Sequence, residues 1–270
     1  MVTEPRTTAV WHHRTTGAGE PLILLHGIGM SHAAWNPVTP RLALTRTVIA
    51  FDIAGFGATP PLSGGIVPTI PHLVDALERS IYELGIRVPV DIAGSSLGGT
   101  MALEAAKRGL ARSVVAISPP GLWTAHPPLQ LKYIFGSLRF GATRLPSLFK
   151  TMLRNPVLRE IVLSVPLSVG SHRMPVDDAV GSSDDLASAS AFEATFENTR
   201  TPLCVRDITV PVTVAFGTRD WILGKGSRRR EGLPPHTRWV TKPGWGHVPM
   251  WVDPVGVAQL ILEGPDLRQN

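Results

Sequence analysis

The sequence predicts a doubly wound, mostly parallel α/β sheet with a helical insertion, and three observations carry that prediction. Apolar runs at residues 21–25, 47–51, 90–93 and 113–117 lack period-two alternation, so both faces of each strand are expected to be buried between helices. Between the second and third runs, Leu73, Leu77, Ile81 and Leu84 recur at helical spacing, with Gly85 as a stop. The alternation breaks after Pro119-Pro120-Gly121 and resumes only at residues 210–216, another buried-strand run.

Taken in order, residues 8–12 read as an early strand, antiparallel at the sheet edge. The run through Val90-Asp91-Ile92-Ala93 feeds Gly94-Ser95-Ser96-Leu97-Gly98, a G-x-S-x-G turn, and residues 101–107 supply strong helix formers after it. A strand entering such a turn and leaving as a helix lifts Ser96 above the sheet. The turn is sharp, and side chains at 94 and 98 would collide with the neighbouring strand and helix. Ser95 is the rival hydroxyl, but only Ser96 sits between the two glycines.

Residues 122–205 form the insertion, helical by their Leu, Phe and Arg content, between core segments 1–121 and 206–270. Lys132, Arg139, Arg144, Lys150, Arg154 and Arg159 make its first half basic. Asp177, Asp178, Asp184, Asp185, Glu193 and Glu197 make its second half acidic. Such halves suit a mobile cap closing on itself or on an anionic surface, but solvated helix faces are the simpler expectation. Gly181-Ser182-Ser183 reads as a hinge or loop. A short strand at 237–240 and a helix at 255–263 complete the chain, with Asp253 as N-cap and Pro254 at the first helical position.

At 270 residues the chain suits one large domain with an insertion, and 43% apolar with 17% charged residues excludes wholesale disorder. No apolar run approaches the roughly 18–20 residues of a membrane span. The polar N-terminus lacks the apolar segment of a secretion signal, so a cytoplasmic protein is expected. Cys204 is the only cysteine, which rules out an intrachain disulfide. The net charge of +5 comes with no nucleic-acid motif and reads as a solvated surface. Arg228-Arg229-Arg230 likewise reads as a solvated helix surface. A small-molecule partner is expected, with no cofactor and no metal: the histidines follow no ligand pattern. Oligomeric state stays open.

A serine hydroxyl needs a base within hydrogen-bond reach, itself oriented by a third group. His247 follows the last strand in Gly244-Trp245-Gly246-His247, at a carboxyl end where open α/β sheets build their sites. Asp220 follows the strand at 210–216, whereas Asp207 precedes it and Asp253 caps a helix. After the preceding strand, Ser118-Pro119-Pro120-Gly121 offers no carboxylate. The chain order is then Ser96, Asp220, His247. Trp35, Trp123, Trp221, Trp245 and Trp251 fall near the site loops and either line an apolar pocket or pack beneath the loops. Trp123, Trp221 and Trp245 are the pocket candidates.

Four blocks carry a resemblance to the α/β-hydrolase fold superfamily over nearly the whole chain: residues 25–29 (Leu25-His26-Gly27-Ile28-Gly29), 52–59, 94–99, and 246–249 with Asp253-Pro254. The resemblance implies that Ser96 attacks an acyl carbonyl, His247 takes its proton and Asp220 supports the imidazole. It implies main-chain oxyanion donors at Ile28 and Leu97, a structural His26, and Asp52 as a turn-organising acid. A serine carboxylesterase acting on a small to medium apolar ester is the expected activity. A carbon–carbon bond hydrolase of the meta-cleavage type, a cofactor-free perhydrolase and a non-enzymatic ligand receptor share the same residues. The tryptophan that commonly follows the histidine in the meta-cleavage group is Val248 here. Epoxide hydrolases and dehalogenases of this fold use an aspartate nucleophile, which Ser96 argues against.

Overall fold

The computed structural model describes residues 10–123 and 126–265. Its strands are β1 His13–Thr16, β2 Glu20–Leu25, β3 Arg46–Phe51, β4 Val90–Ser95, β5 Ala111–Ile117, β6 Val212–Gly217 and β7 Arg238–Lys242. The helices are α1 Thr39–Leu42, α2 Ile70–Glu83, α3 Leu97–Lys107, α4 Gln130–Arg144, α5 Pro146–Arg154, α6 Pro156–Leu163, α7 Val176–Ser188, α8 Phe192–Asn198 and α9 Pro254–Glu263. The strands make one sheet in the order β1-β3-β2-β4-β5-β6-β7. Only β1 runs antiparallel, against β3; the other pairings are parallel.

Both faces of the sheet are covered, as the unbroken apolar runs require. Ile23 and Leu25 pack toward Leu73 and Leu77 of α2 and Met101 of α3. Their neighbours Leu22 and Leu24 point the other way, toward Leu42 of α1 and Val257 and Ile261 of α9. Each such fully buried aliphatic side chain contributes about 1.5–3 kcal/mol of burial free energy. Strand order reverses around β2, whose neighbours are β3 on one side and β4 on the other. That switch point opens a crevice at the carboxyl ends of β2 and β4, and the loop holding Ile28 and the turn holding Ser96 both leave from there.

Two expectations are corrected. The edge strand begins at His13, not at residue 8: positions 10–12 are not in a strand, and Thr8 and Ala9 lie outside the described residues. Gly181-Ser182-Ser183 is no loop but the middle of α7. Asp177 and Asp178 in its first turn suit the helix dipole, and packing on α4 and α5 overrides the weak propensity of Gly and Ser. The short α1 and the 3-10 turn His32–Trp35 were not foreseen, being too brief for a helical period to show.

Helices α4 to α8 all lie between β5 and β6. Their charged halves meet each other: Lys150 Nζ lies 2.5 Å from Asp184 Oδ1, and Arg139 Nε 3.1 Å from Glu193 Oε1. The two halves are therefore partly matched rather than simply solvated.

Candidate active site

The turn after β4 forces Ser96 into φ 52°, ψ −121°, a left-handed conformation costing a non-glycine residue about 1–3 kcal/mol. Close packing over-determines it. A Cβ on Gly94 would lie 2.1 Å from the Gly98 carbonyl oxygen, and one on Gly98 would lie 2.2 Å from that of Leu25. Although Ser96 occupies the N-cap position of α3, its side chain makes no capping bond. It turns to His247 instead, with Oγ 2.9 Å from Nε2.

His247 Nδ1 is 3.1 Å from Asp220 Oδ2, and all three side chains are buried. The other Asp220 oxygen accepts from the main-chain N–H groups of Ile222 and Leu223, at 3.1 and 3.0 Å. Burial opposes ionisation of Asp220, but the charge and hydrogen bond of His247 and the Leu223 N–H outweigh it. Its carboxyl is held below the usual range. With the carboxylate on Nδ1, that nitrogen carries the proton, leaving Nε2 free to accept one from Ser96 Oγ.

The main-chain N–H groups of Ile28 and Leu97 make no hydrogen bond among the described residues. For Leu97 the reason is geometric: it is the first residue of α3, where no preceding helical carbonyl exists. Between these loops sits His26, whose ring accepts from Ile53 N–H at 2.9 Å through Nε2 and donates to the Gly27 carbonyl at 2.7 Å through Nδ1. Burial pushes His26 down to about 4, so it stays neutral and braces the loop carrying Ile28.

Asp52 organises the neighbouring turn. It accepts from the main-chain N–H of His32 and of Ala58, and each of the His32 and His12 rings holds Nδ1 2.8 Å from it. Sequence spacing gave no hint of this cluster, since positions 12, 32 and 52 come from three separate segments. Its three candidate ligand atoms lie within 4.8 Å of one another, the one grouping among the described residues that could hold a metal, but both Asp52 oxygens are engaged by N–H donors.

Two cavities meet at Ser96 and His247. The larger, about 670 Å³ with its mouth, is walled by Met30, Leu138, Phe149, Leu153, Leu163 and Leu186, with Ser182 and Ser183 of α7. The smaller, about 410 Å³, is lined by Trp123, Leu131, Phe135, Phe196, Ile222 and Leu223. Of the tryptophans expected here, only Trp123 takes part. Trp221 is half-exposed because its neighbours Ile222 and Leu223 turn inward in its place. Trp245 is buried under the loop, donating to Asp253 Oδ2 at 2.8 Å, and lines neither cavity. Trp35 is core, and Trp251 donates to Asp178 of α7 at 2.8 Å.

Three supporting groups escaped the sequence reading. Arg228 is not solvated: it is partly buried in a loop and donates to the carbonyls of Leu223, Gly217 and Asp220, clamping the acid loop. Arg229 and Arg230 are exposed as expected, though in a loop and not on a helix. Ser168 Oγ accepts from Gly246 N–H at 2.9 Å, and the Leu167 carbonyl accepts from Val248 N–H at 2.9 Å. The segment between β5 and β6 thus holds His247 from both sides. Ser31 donates to Asp185 of α7 at 2.6 Å, tying that helix to the loop that carries Ile28. Arg228 lies near Asp220 in sequence and its proximity was a usable signal; the Ser168 contact spans 78 residues and left none.

A family described as "Alpha/beta hydrolase family" matches residues 22–260. The epoxide hydrolase EphH of Mycobacterium tuberculosis (strain ATCC 25618 / H37Rv) is 30% identical over 199 residues, covering 70% of this chain and 91% of its own. The 2-hydroxy-6-oxo-2,4-heptadienoate hydrolase of Pseudomonas putida is 39% identical over 101 residues, 34% of each chain. Carboxylesterase CesB from Bacillus subtilis superposes with a TM-score of 0.69 at 20% identity, over 94% of this chain and 86% of that one.

Proposed function

This chain belongs to the alpha/beta hydrolase family, and we propose that within it the protein is a serine hydrolase cleaving carboxylic esters with apolar arms. The observation that carries the reading is the contact of Ser96 Oγ with His247 Nε2 at 2.9 Å, backed by Asp220 and flanked by two unused main-chain donors. In this reading Ser96 Oγ attacks the acyl carbon while its proton passes to His247 Nε2. The tetrahedral oxyanion is held by the N–H groups of Ile28 and Leu97, such a donor being worth about 3 kcal/mol in the barrier. Collapse expels the alkoxide, which takes the proton from Nε2. Water, deprotonated by the same nitrogen, then releases the acid and restores Ser96. Asp220 keeps the imidazole in the productive tautomer and supports its positive charge. Two apolar cavities meeting at the nucleophile suit an ester with an apolar group on each side, and the residues 122–205 that wall most of them act as a cap.

The test is turnover of p-nitrophenyl butyrate together with labelling by a fluorophosphonate. Both are expected for the native protein and absent after Ser96→Ala. Labelling that survives the substitution removes the assignment, and a single slow turnover with retained ligand points to a receptor. A carbon–carbon bond hydrolase is the second reading, favoured by the local 39% identity to the Pseudomonas putida heptadienoate hydrolase. Depletion of a ring-fission dienone absorbance would select it. The epoxide hydrolase name of the mycobacterial relative is not carried over, because the position resembling that fold's aspartate nucleophile holds Ser96.

A further inference from the structure

We propose that the outward face of α4, α5 and α6 docks on an anionic lipid bilayer. Leu129, Tyr133, Phe140, Leu148, Val157 and Ile161 are each more than half exposed. Elsewhere among the described residues, only Leu44 and Tyr82 are large apolar side chains exposed to that extent. α5 packs on both α4 and α6, and Tyr133 and Phe140 fall at helical spacing on one side of α4, as Val157 and Ile161 do on α6. The inner sides of these helices are already used: Phe135, Leu138, Phe149, Leu153 and Leu163 wall the large cavity. The helices are therefore apolar on both faces, and a gathering of exposed apolar groups marks an interaction surface.

Charge selects the occupant. Residues 126–168 contain six Lys and Arg against a single acid, Glu160. Arg159 is buried on main-chain carbonyls, Arg139 and Lys150 are paired with Glu193 and Asp184, and Glu160 is tied to Gly170 and His172. That leaves Arg144 and Arg154 exposed with no partner among the described residues, while Lys132, also exposed, lines a cavity that Glu193 and Glu197 share. Apolar anchors among unpaired cations fit acyl chains beneath anionic headgroups. A second copy of this chain is a poorer fit, since a twofold contact brings the same basic patch from both sides into one interface with no acid of its own to match it. The surface would lie on the membrane and not span it: no helix among the described residues is long and apolar enough to cross one. The inference rests on exposure and charge, independently of the hydrolase reading.

Co-sedimentation with vesicles of phosphatidylcholine, alone or mixed with phosphatidylglycerol, tests it. The full chain is expected to bind the mixed vesicles, more weakly the neutral ones, and less as salt rises. Phe140→Glu and Ile161→Glu each lower the partition about ten-fold or more. Arg144→Gln lowers it about five-fold and flattens the salt dependence, with circular dichroism verifying the fold of every variant. No preference for anionic vesicles, or equal partition of all variants, overturns the proposal. So does a concentration-dependent dimer that Phe140→Glu dissociates, which assigns the face to a second copy. Because the readout is binding, a protein without esterase activity leaves the test intact.

Discussion

Asp220 and His26 are both buried beside the same crevice, yet their environments push them in ways that separate chemistry from stability. Asp220 is kept ionised by His247 and by two main-chain donors. Asp220→Asn preserves the shape but removes the charge and presents the wrong partner to Nδ1. The expected result is a fall in kcat of about 10⁴-fold with KM little changed, read in a steady-state ester assay; a fall below ten-fold would place the acid elsewhere. His26 instead reports on folding. The unfolded chain takes up its proton near 6.5, while the folded ring resists until about 4. Between those values the unfolded state binds more protons, so stability is lost as pH drops through that window and is flat below it. The contribution is about 3 kcal/mol. His32 acts with the opposite sign: raised by its bond to Asp52, it adds stability at low pH that disappears as pH climbs through its folded value. Urea midpoints of native protein and His26→Gln at pH 7 and pH 4.5 separate the two. The variant is expected to lose most of the acid slope, and an unchanged slope would assign it to other groups.

At the scale of elements, local pattern and long-range contact divide what the sequence showed from what it did not. The strands β2 to β7 and helices α2, α3 and α9 were legible because each carries its own period, its own cap or its own glycine. Thr69 at the start of α2 and Asp253 at the start of α9 both make the capping bond their residue type promises. The juxtaposition of Ser96, Asp220 and His247 was legible for a related reason: each follows the carboxyl end of a strand at the same sheet edge. Gly181 failed as a loop marker because its helix is held by α4 and α5 and not by propensity. Trp221 and Trp245 failed as pocket residues because one residue of register decides whether a loop side chain faces in or out. Ser168 was invisible, being an ordinary serine far along the chain. It carries a prediction of its own: Ser168→Ala frees the Gly246 N–H and loosens His247. We expect a loss of about 1 kcal/mol in stability and a disproportionate fall in kcat, about ten-fold. Equal activity with reduced stability would confine Ser168 to a packing role.

For the whole molecule, the sheet edge brings Ser96, Asp220 and His247 together, and the helices between β5 and β6 wall most of the larger cavity beside them. The large cavity is lined chiefly by apolar side chains with Ser96 and His247 as its polar end, the make-up expected of a small-molecule site. Its far walls come from α5, α6 and α7, whereas Ser96 and His247 form its near end, so changes in those helices should alter which chain fits without altering the attack. Ala179 lies on this wall and is fully buried. Ala179→Phe fills the cavity and should move the preferred acyl length of p-nitrophenyl esters toward acetate. Leu163→Ala opens space and should move it the other way, at a stability cost of about 2–5 kcal/mol. Each carbon gained or lost is worth about 0.8 kcal/mol of burial, close to four-fold in kcat/KM per methylene. Trp221→Ala provides the contrast, since that side chain lines neither cavity, and the profile should hold its maximum. If the maximum moves with Trp221 and not with Ala179 or Leu163, the acyl chain enters past the acid loop and the large cavity holds the alcohol.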